Sequence, residues 1–228
     1  MSEPEGPEAD LRHVATWLFD LDNTLYPLES GLASVVSDRI TTYVERLTGL
    51  PRDEARALQK RYLAEHGLTL KGLMAHHAVD PGHYHAALNE VDLACLAVDE
   101  ALIPALARLP GRRIIFTNAD AVHAQRVLDQ LRLTPLFDAV FHIASAGFEP
   151  KPSPGAFSRL IAAHDIDPSR AAFFEDAERN LAPAAALGMT TVLVGAQAEA
   201  STAPFVHYRA PTLAPFLQRA RIAETRPS

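Results

Sequence analysis

The sequence predicts an α/β fold, a parallel sheet wrapped by helices, with an all-helical segment inserted after the first strand. Three observations predict it. Short apolar runs alternate with helical stretches through most of the chain. Residues 28–106, between the first run and the second, carry helical spacing and no strand pattern. Several apolar runs end in reactive side chains, as happens at the carboxyl edge of an open parallel sheet, where ligands bind.

In chain order, "SEPEGPEAD" makes residues 1–12 a flexible tail. "TWLFDLD" (Thr16–Asp22) reads as a buried parallel strand. "LASVVSDRITTYVERL" has apolar residues at helical spacing, and "PRDEARALQKRYLAEHG" runs from Pro51 to a stop at Gly67. "LTLKGLMAHHAV" and "GHYHAALNEV" predict two further helices. The strand pattern returns with "RRIIFTNAD" (Arg112–Asp120), followed by the helix "AVHAQRVLDQLRL" and the strand "FDAVFHIA". "SPGAFSRLIAAHDI" predicts a helix with Ser153 as N-cap and Pro154 at its first position. "RAAFFEDA" is a strand, "ERNLAPAAALG" a helix ended by Gly188, and "TTVLVG" a strand. A last strand is expected at Phe205–Tyr208 and a short helix from Thr212. The division is thus a core of residues 13–27 and 107–228 and a helical cap of residues 28–106. Gly31 and Pro104 are position-based markers of the two connections between them.

With 228 residues and 48% hydrophobic content, the chain can bury a substantial core. Its net charge of -7 argues against a nucleic acid polymer as partner, though a small anion remains compatible. One cysteine, Cys95, excludes an internal disulfide and fits a reducing cytoplasm. No signal-peptide pattern opens the sequence, and no apolar run reaches the roughly 18 residues of a membrane span. The expectation is a cytoplasmic protein without a membrane partner. Oligomeric state is not legible.

Three strand ends carry the candidate chemistry: Asp20 and Asp22, Thr117 and Asn118, Glu175 and Asp176. Lys151 lies in the loop after the third strand. If the sheet is parallel, these ends converge. Clustered carboxylates repel one another unless a cation is present. Mg²⁺ suits them, being a hard ion commonly held by one or two carboxylates, water and substrate phosphate. One carboxylate can then attack phosphorus, and one two residues on can handle the proton. Thr117 and Asn118 can donate hydrogen bonds to phosphate, and Lys151 can balance charge. Each element alone is commonplace. A lone Asp-x-Asp pair is usually a loop feature, and Glu175-Asp176 alone could cap a helix. Their order along successive strand ends carries the reading.

"DLDNT" (Asp20–Thr24), "FTNA" (Phe116–Ala119), "KPSPGAF" (Lys151–Phe157) and "FFEDAERNL" (Phe173–Leu181) resemble the four motifs of the haloacid dehalogenase superfamily of phosphohydrolases. Within it, "FDLDNTLYP" and "EHGLTLKGLMAHHAVDPGHYHAAL" resemble the pyrimidine 5′-nucleotidase branch. The resemblance implies a Rossmann-like core with an inserted helical cap. It implies Asp20 as nucleophile and Asp22 as general acid and base. Mg²⁺ would sit on the Asp20 carboxylate, the Asp22 main-chain carbonyl and Asp176, with Glu175 assisting through water. Thr117, Asn118 and Lys151 would bind phosphate. Many relatives of this branch carry Asp-Asp where this chain has Glu175-Asp176, a pair also found in relatives acting on sugar phosphates. Dehalogenating members typically lack the second acid, so Asp22 favours phosphate ester cleavage.

The implied substrate is a small phosphorylated metabolite, a pyrimidine nucleoside 5′-monophosphate first. A sugar phosphate or phosphoglycolate phosphatase, a mutase and a non-catalytic phosphate-binding module are the alternatives. In the cap, Lys71, Met74 and His77 are candidate substrate contacts. Tyr26 either reaches the cleft or packs beneath the cap. The spacing of His66, His76, His77, His83 and His85 fits no standard zinc frame.

Overall fold

The computed structural model describes residues 9–224. In chain order the elements are β1 (Thr16–Phe19), α1 (Leu32–Thr48), α2 (Arg52–His66), α3 (Thr69–His77), α4 (Pro81–Leu88), α5 (Leu102–Ala107) and β2 (Arg112–Phe116). There follow α6 (Ala121–Gln130), β3 (Ala139–Phe141), α7 (Pro154–His164), β4 (Ala171–Glu175), α8 (Glu178–Ala186), β5 (Thr190–Val194), β6 (Tyr208–Ala210) and α9 (Leu213–Arg219). The strands form one six-stranded sheet in the order β3-β2-β1-β4-β5-β6, and every pairing is parallel. This is the α/β fold the sequence predicts.

The strands read as unbroken apolar runs because both sheet faces are covered. Trp17, Phe19, Ile115, Phe174 and Val192 feed one core cluster, shared with α5, α6 and α9. Leu18, Ile114, Phe116, Phe173 and Leu193 feed the other, shared with α7 and α8. Phe19 stacks on Phe174 with ring centroids 4.6 Å apart. Gly111, at φ +83°, lets β2 enter beside β1, since a Cβ there would lie 2.2 Å from the Ala15 carbonyl oxygen.

Helices α1–α4 build a separate small core from Tyr43, Val44, Ala55, Leu58, Tyr62, Leu70, Leu73 and Tyr84. Gly72 allows α3 to lie against Tyr62, whose ring carbon would be 2.4 Å from an added Cβ. The helical packing unit ends at Leu88, short of the expected residue 106. Val91, Leu93, Leu96, Leu102 and Leu106 are buried in the sheet-side core instead. Helical spacing reports an apolar face without saying which core receives it. Pro104 consequently lies inside α5 and marks no connection. The returning chain is held to α6: Asp120 accepts from Asn89 Nδ2 at 3.1 Å, and Arg126 donates to the carbonyls of Asn89 and Val91.

Three further expectations change. Of the expected tail, residues 1–8 lie outside the described residues. Residues 9–11 are packed, with Leu11 wholly buried and Asp10 bridged to Arg221, while Arg12 is exposed. The last strand is Tyr208–Ala210 rather than Phe205–Tyr208, because Thr191 ties down the preceding segment. Its hydroxyl donates to the Phe205 carbonyl at 2.5 Å, and its N–H donates to His207 Nδ1 at 3.0 Å. Ser153 stands at the N-cap position of α7, but its hydroxyl bonds Glu149 at 3.1 Å and does not cap the helix.

Candidate active site

The carboxyl ends of β1, β2 and β4 meet, and a buried charge cluster occupies the meeting point. Asp20 extends the β1 ladder, its N–H donating to the Phe174 carbonyl at 2.9 Å. Lys151, only 2% exposed, reaches in from the loop before α7. Its Nζ donates to Asp20 Oδ1 at 2.6 Å, Glu175 Oε2 at 2.7 Å and the Phe116 carbonyl at 2.7 Å. All three donors of the ammonium are thereby satisfied, as burial of a full charge demands.

Asp20, Glu175 and Asp176 each offer an oxygen, all within 4.8 Å of one another. Three carboxylates face one ammonium. Burial pushes the Asp20 carboxyl up, Glu175's charge adds to the rise, and Lys151 only partly opposes it. Glu175 is raised by burial and then, against Lys151, by Asp176. Asp176 is raised by burial and by Asp20. Lys151 is raised despite its burial, because Asp20 and Glu175 hold its proton. The cluster carries excess negative charge in a low-dielectric setting, and its free donors are all oxygen. That fits a hard divalent cation. Glu175 has committed both oxygens, Oε2 to Lys151 and Oε1 to the Ala177 N–H at 3.1 Å. Asp20 and Asp176 retain the freer carboxylate oxygens.

Asp22 has different surroundings. The chain turns after β1 through Asn23, at φ +63°, a left-handed position that Asn tolerates. Asp22 Oδ1 accepts from the Tyr26 hydroxyl at 2.6 Å and pairs with His123 Nε2 at 3.0 Å. Burial raises the Asp22 carboxyl, but His123 and Tyr26 outweigh it and hold the group below the usual range. Burial lowers His123, and the Asp22 carboxylate more than offsets this, leaving it raised. Tyr26 is pushed far up by burial and by Asp22, so it stays a neutral donor.

Asn118 departs from the expected role in part. Its Oδ1 accepts from the Lys151 N–H at 2.8 Å and its Nδ2 faces the Lys151 carbonyl at 3.4 Å, so its side chain clamps the lysine loop. Thr117, 2% exposed, accepts from the Ala119 N–H at 3.0 Å.

A cavity of about 340 Å³ opens between this edge and the helical segment. Asp22, Tyr26, Asn118 and His123 form its floor, and Val36, Ile40, Leu63, Leu68, Leu70 and Leu88 much of its walls. Ser37, Gln59, Thr69, Tyr84 and His85 add uncharged or weakly basic polar groups, and no lysine or arginine is among the described lining residues. Lys71, Met74 and His77 do not line it, which corrects their candidacy. Lys71 is exposed, Met74 packs on the core of the helical segment, and His77 pairs with the Tyr62 hydroxyl at 3.0 Å. The first turn of α3 faces the cavity through Thr69 and Leu70, and the later turns point away. Other histidines of the helical segment lie on tyrosines: His76 stacks on Tyr62, and His83 Nδ1 pairs with the Tyr43 hydroxyl at 2.8 Å. His123 was missed in the sequence. Its only signal is a place three residues beyond Asp120, the side-chain cap of α6.

Among the described residues, no helix is long and apolar enough to cross a membrane. Residues 14–188 match the family of haloacid dehalogenase-like hydrolases. A curated relative, phosphate metabolism protein 8 of Saccharomyces cerevisiae, is 26% identical over 206 residues, covering 83% of this chain. The chain spans 64% of that relative's length. Among solved structures, a haloacid dehalogenase-type phosphatase from Thermococcus onnurineus superposes with a TM-score of 0.65 at 21% identity, over 91% of this chain and all of the other. The L-2-haloacid dehalogenase of Xanthobacter autotrophicus gives 0.53 at 17% identity, over 90% and 97%. With three quarters of its length matched and its fold shared, the chain belongs to the haloacid dehalogenase-like hydrolases.

Proposed function

We propose that the protein is a Mg²⁺-dependent phosphomonoesterase, with a nucleoside 5′-monophosphate, pyrimidine first, as substrate. One observation carries the reading. Asp20 belongs to the buried carboxylate cluster, while Asp22, two residues on, faces the cavity where a leaving group would lie. The fold does not choose the chemistry, since it is shared with both a phosphatase and a dehalogenase. The second carboxylate does, because ester cleavage needs a proton for the departing oxygen and halide release does not. The name of the yeast relative, which concerns phosphate metabolism, is in keeping with this.

In this reading Asp20 attacks phosphorus and forms an acyl phosphate, and the ester oxygen leaves with a proton from Asp22. Asp22 then removes a proton from the water that releases phosphate. Lys151 holds Asp20 in line and neutralises charge on the phosphoryl group. Asp20 and Asp176 would hold Mg²⁺, with the Asp22 main-chain carbonyl as third protein ligand and Glu175 behind them. The bound ion would balance the cluster's excess charge and that of the phosphate. The helical segment would act as a cap that excludes water and selects the leaving group.

The apolar walls and the lack of lysine or arginine in the lining favour a neutral leaving group with a flat apolar face over a glycolate carboxylate. The Glu175-Asp176 pair keeps a small sugar phosphate as the second reading. Purified protein with Mg²⁺ is to be assayed for phosphate release from UMP, CMP, hexose phosphates and phosphoglycolate. Preference for the nucleotides is expected. Release from none of them overturns the reading in favour of a non-catalytic module.

A further inference from the structure

We propose that His123 and Tyr26 are positioning residues for Asp22: together they fix its Oδ1 and leave Oδ2 as the oxygen that carries the proton. The inference rests on the phosphatase reading above. A carboxylate can turn about its Cβ–Cγ bond, and a proton donor works only when one particular oxygen faces the reacting atom. Asp22 needs such restraint. It follows β1 in a turn, and its side chain is 35% exposed.

The restraint comes from two buried groups. Tyr26 is 4% exposed and donates at 2.6 Å, and His123 is 8% exposed and lies at 3.0 Å. Both address the same oxygen. An ionised carboxylate only accepts, so the Nε2 of His123 carries the hydrogen of this contact. Among the described residues, no hydrogen bond engages Oδ2. Asp22, Tyr26 and His123 all line the cavity, so the free oxygen belongs to a group at the leaving-group side. The two tethers also come from different parts of the chain. Tyr26 sits just before the helical segment departs. His123 sits on α6, which holds that segment's return through Asp120 and Arg126.

The chemistry gives this arrangement a distinctive readout. In the first half-reaction, Asp20 forms a P–O bond and the ester P–O bond breaks. The proton on Asp22 Oδ2 passes to the departing oxygen. An alkoxide needs that proton, whereas p-nitrophenolate is a stable anion and leaves without it. In the second half-reaction water attacks phosphorus, the P–O bond to Asp20 breaks to release phosphate and restore the Asp20 carboxylate, and the water's proton goes to Asp22, whatever the substrate was. Loss of aim at Asp22 therefore acts on kcat/KM according to the leaving group, and on dephosphorylation of Asp20 uniformly.

The test measures kcat/KM with Mg²⁺ on UMP and on p-nitrophenyl phosphate for wild type, Tyr26→Phe, His123→Leu, His123→Gln and Asp22→Asn. Tyr26→Phe and His123→Leu are each expected to lose on the order of 10- to 100-fold on UMP, a part of the roughly 10²–10⁴-fold that general acid catalysis supplies. The loss on p-nitrophenyl phosphate should be at least fivefold smaller. Asp22→Asn sets the largest discrimination attainable. His123→Gln should recover part of the loss, since its amide can donate to the same oxygen. Equal losses on both esters, or none, overturn the positioning role. A wild type inactive on both and on the hexose phosphates and phosphoglycolate overturns the phosphatase reading and this inference together. Tyr26→Phe removes a single oxygen, so it decides the matter if His123→Leu does not fold.

Discussion

The sheet edge and the helical segment solve opposite problems across one cavity. At the sheet edge, full charges are buried and tied to each other: Lys151 holds Asp20, Glu175 and the Phe116 carbonyl. On the helical side, the wall is aliphatic, and Ser37, Gln59 and Thr69 are hydrogen-bonded without full charge. Gln59, for example, accepts from Thr41 at 2.6 Å and donates to Ser37. The first arrangement is costly without a cation and therefore specific about what it binds. The second is cheap and permissive, and small changes of side-chain size would retune it. In the proposed function, chemistry and selectivity would thus have different physical grounds.

Perturbing the charged side should give the largest effects. Asp20→Asn is expected to lower kcat roughly a thousandfold or more, as loss of a nucleophile does, with the circular dichroism spectrum unchanged. Lys151→Met leaves buried carboxylates without their counterion. It should lose about 3–5 kcal/mol of stability in chelator, read by urea unfolding, and recover part of it with Mg²⁺.

The same excess charge fixes a pH dependence. Asp20, Glu175 and Asp176 have folded-state pKa values above their unfolded ones. The stability they contribute is full below the unfolded carboxyl range and is lost as pH rises through the raised values. Without metal, the melting temperature should therefore fall from acid toward neutral pH at this site. His123, also raised, acts in the same sense from its higher range, and Asp22, lowered, acts oppositely at the acid end. Mg²⁺ bound at these carboxylates would compete with their protons, so the rise in melting temperature it causes should grow with pH. Asp20→Asn should flatten that growth, and a Mg²⁺ increment independent of pH would mean that these carboxylates do not bind the ion.

On the apolar side, Ile40→Ala should raise KM for the nucleotide by about tenfold with kcat nearly unchanged, the scale of lost methylene contacts in a pocket. A comparable fall in kcat would blur the division between the two regions. Smallest of all, His77→Ala should leave KM unchanged and cost about 1 kcal/mol through the lost Tyr62 hydrogen bond.

The alternating strands, the order of the motifs and the convergence of Asp20, Lys151 and Glu175 were legible, because each rests on local pattern plus one topological rule. The end of the helical packing unit was not. "LIPALA" is equally helical whether it packs on α1–α4 or on the sheet, and only tertiary contact distinguishes them. His123 was invisible for a related reason. It reaches Asp22 across a fold, from a helix whose sequence reads as ordinarily amphipathic. Lys71, Met74 and His77 lay on the right helix but not at its cavity-lining positions, Thr69 and Leu70, and the direction a helix face points cannot be taken from its own residues.

The strand order has a consequence in time. β1 lies in the middle of the sheet, and its first residue, Thr16, is paired with Arg112 on one side and Ala171 on the other. Each pairing closes a loop on the order of a hundred residues or more, an entropic outlay that delays non-local strand association. The α1–α4 unit closes shorter loops around its own small core, the α1–α4 contact from Arg39 to Ala87 spanning 48 residues. We expect it to gain structure early during refolding, while the strand that carries Asp20 locks in late. Catalytic competence would then trail helix formation, and stopped-flow circular dichroism set beside recovery of activity would record the lag.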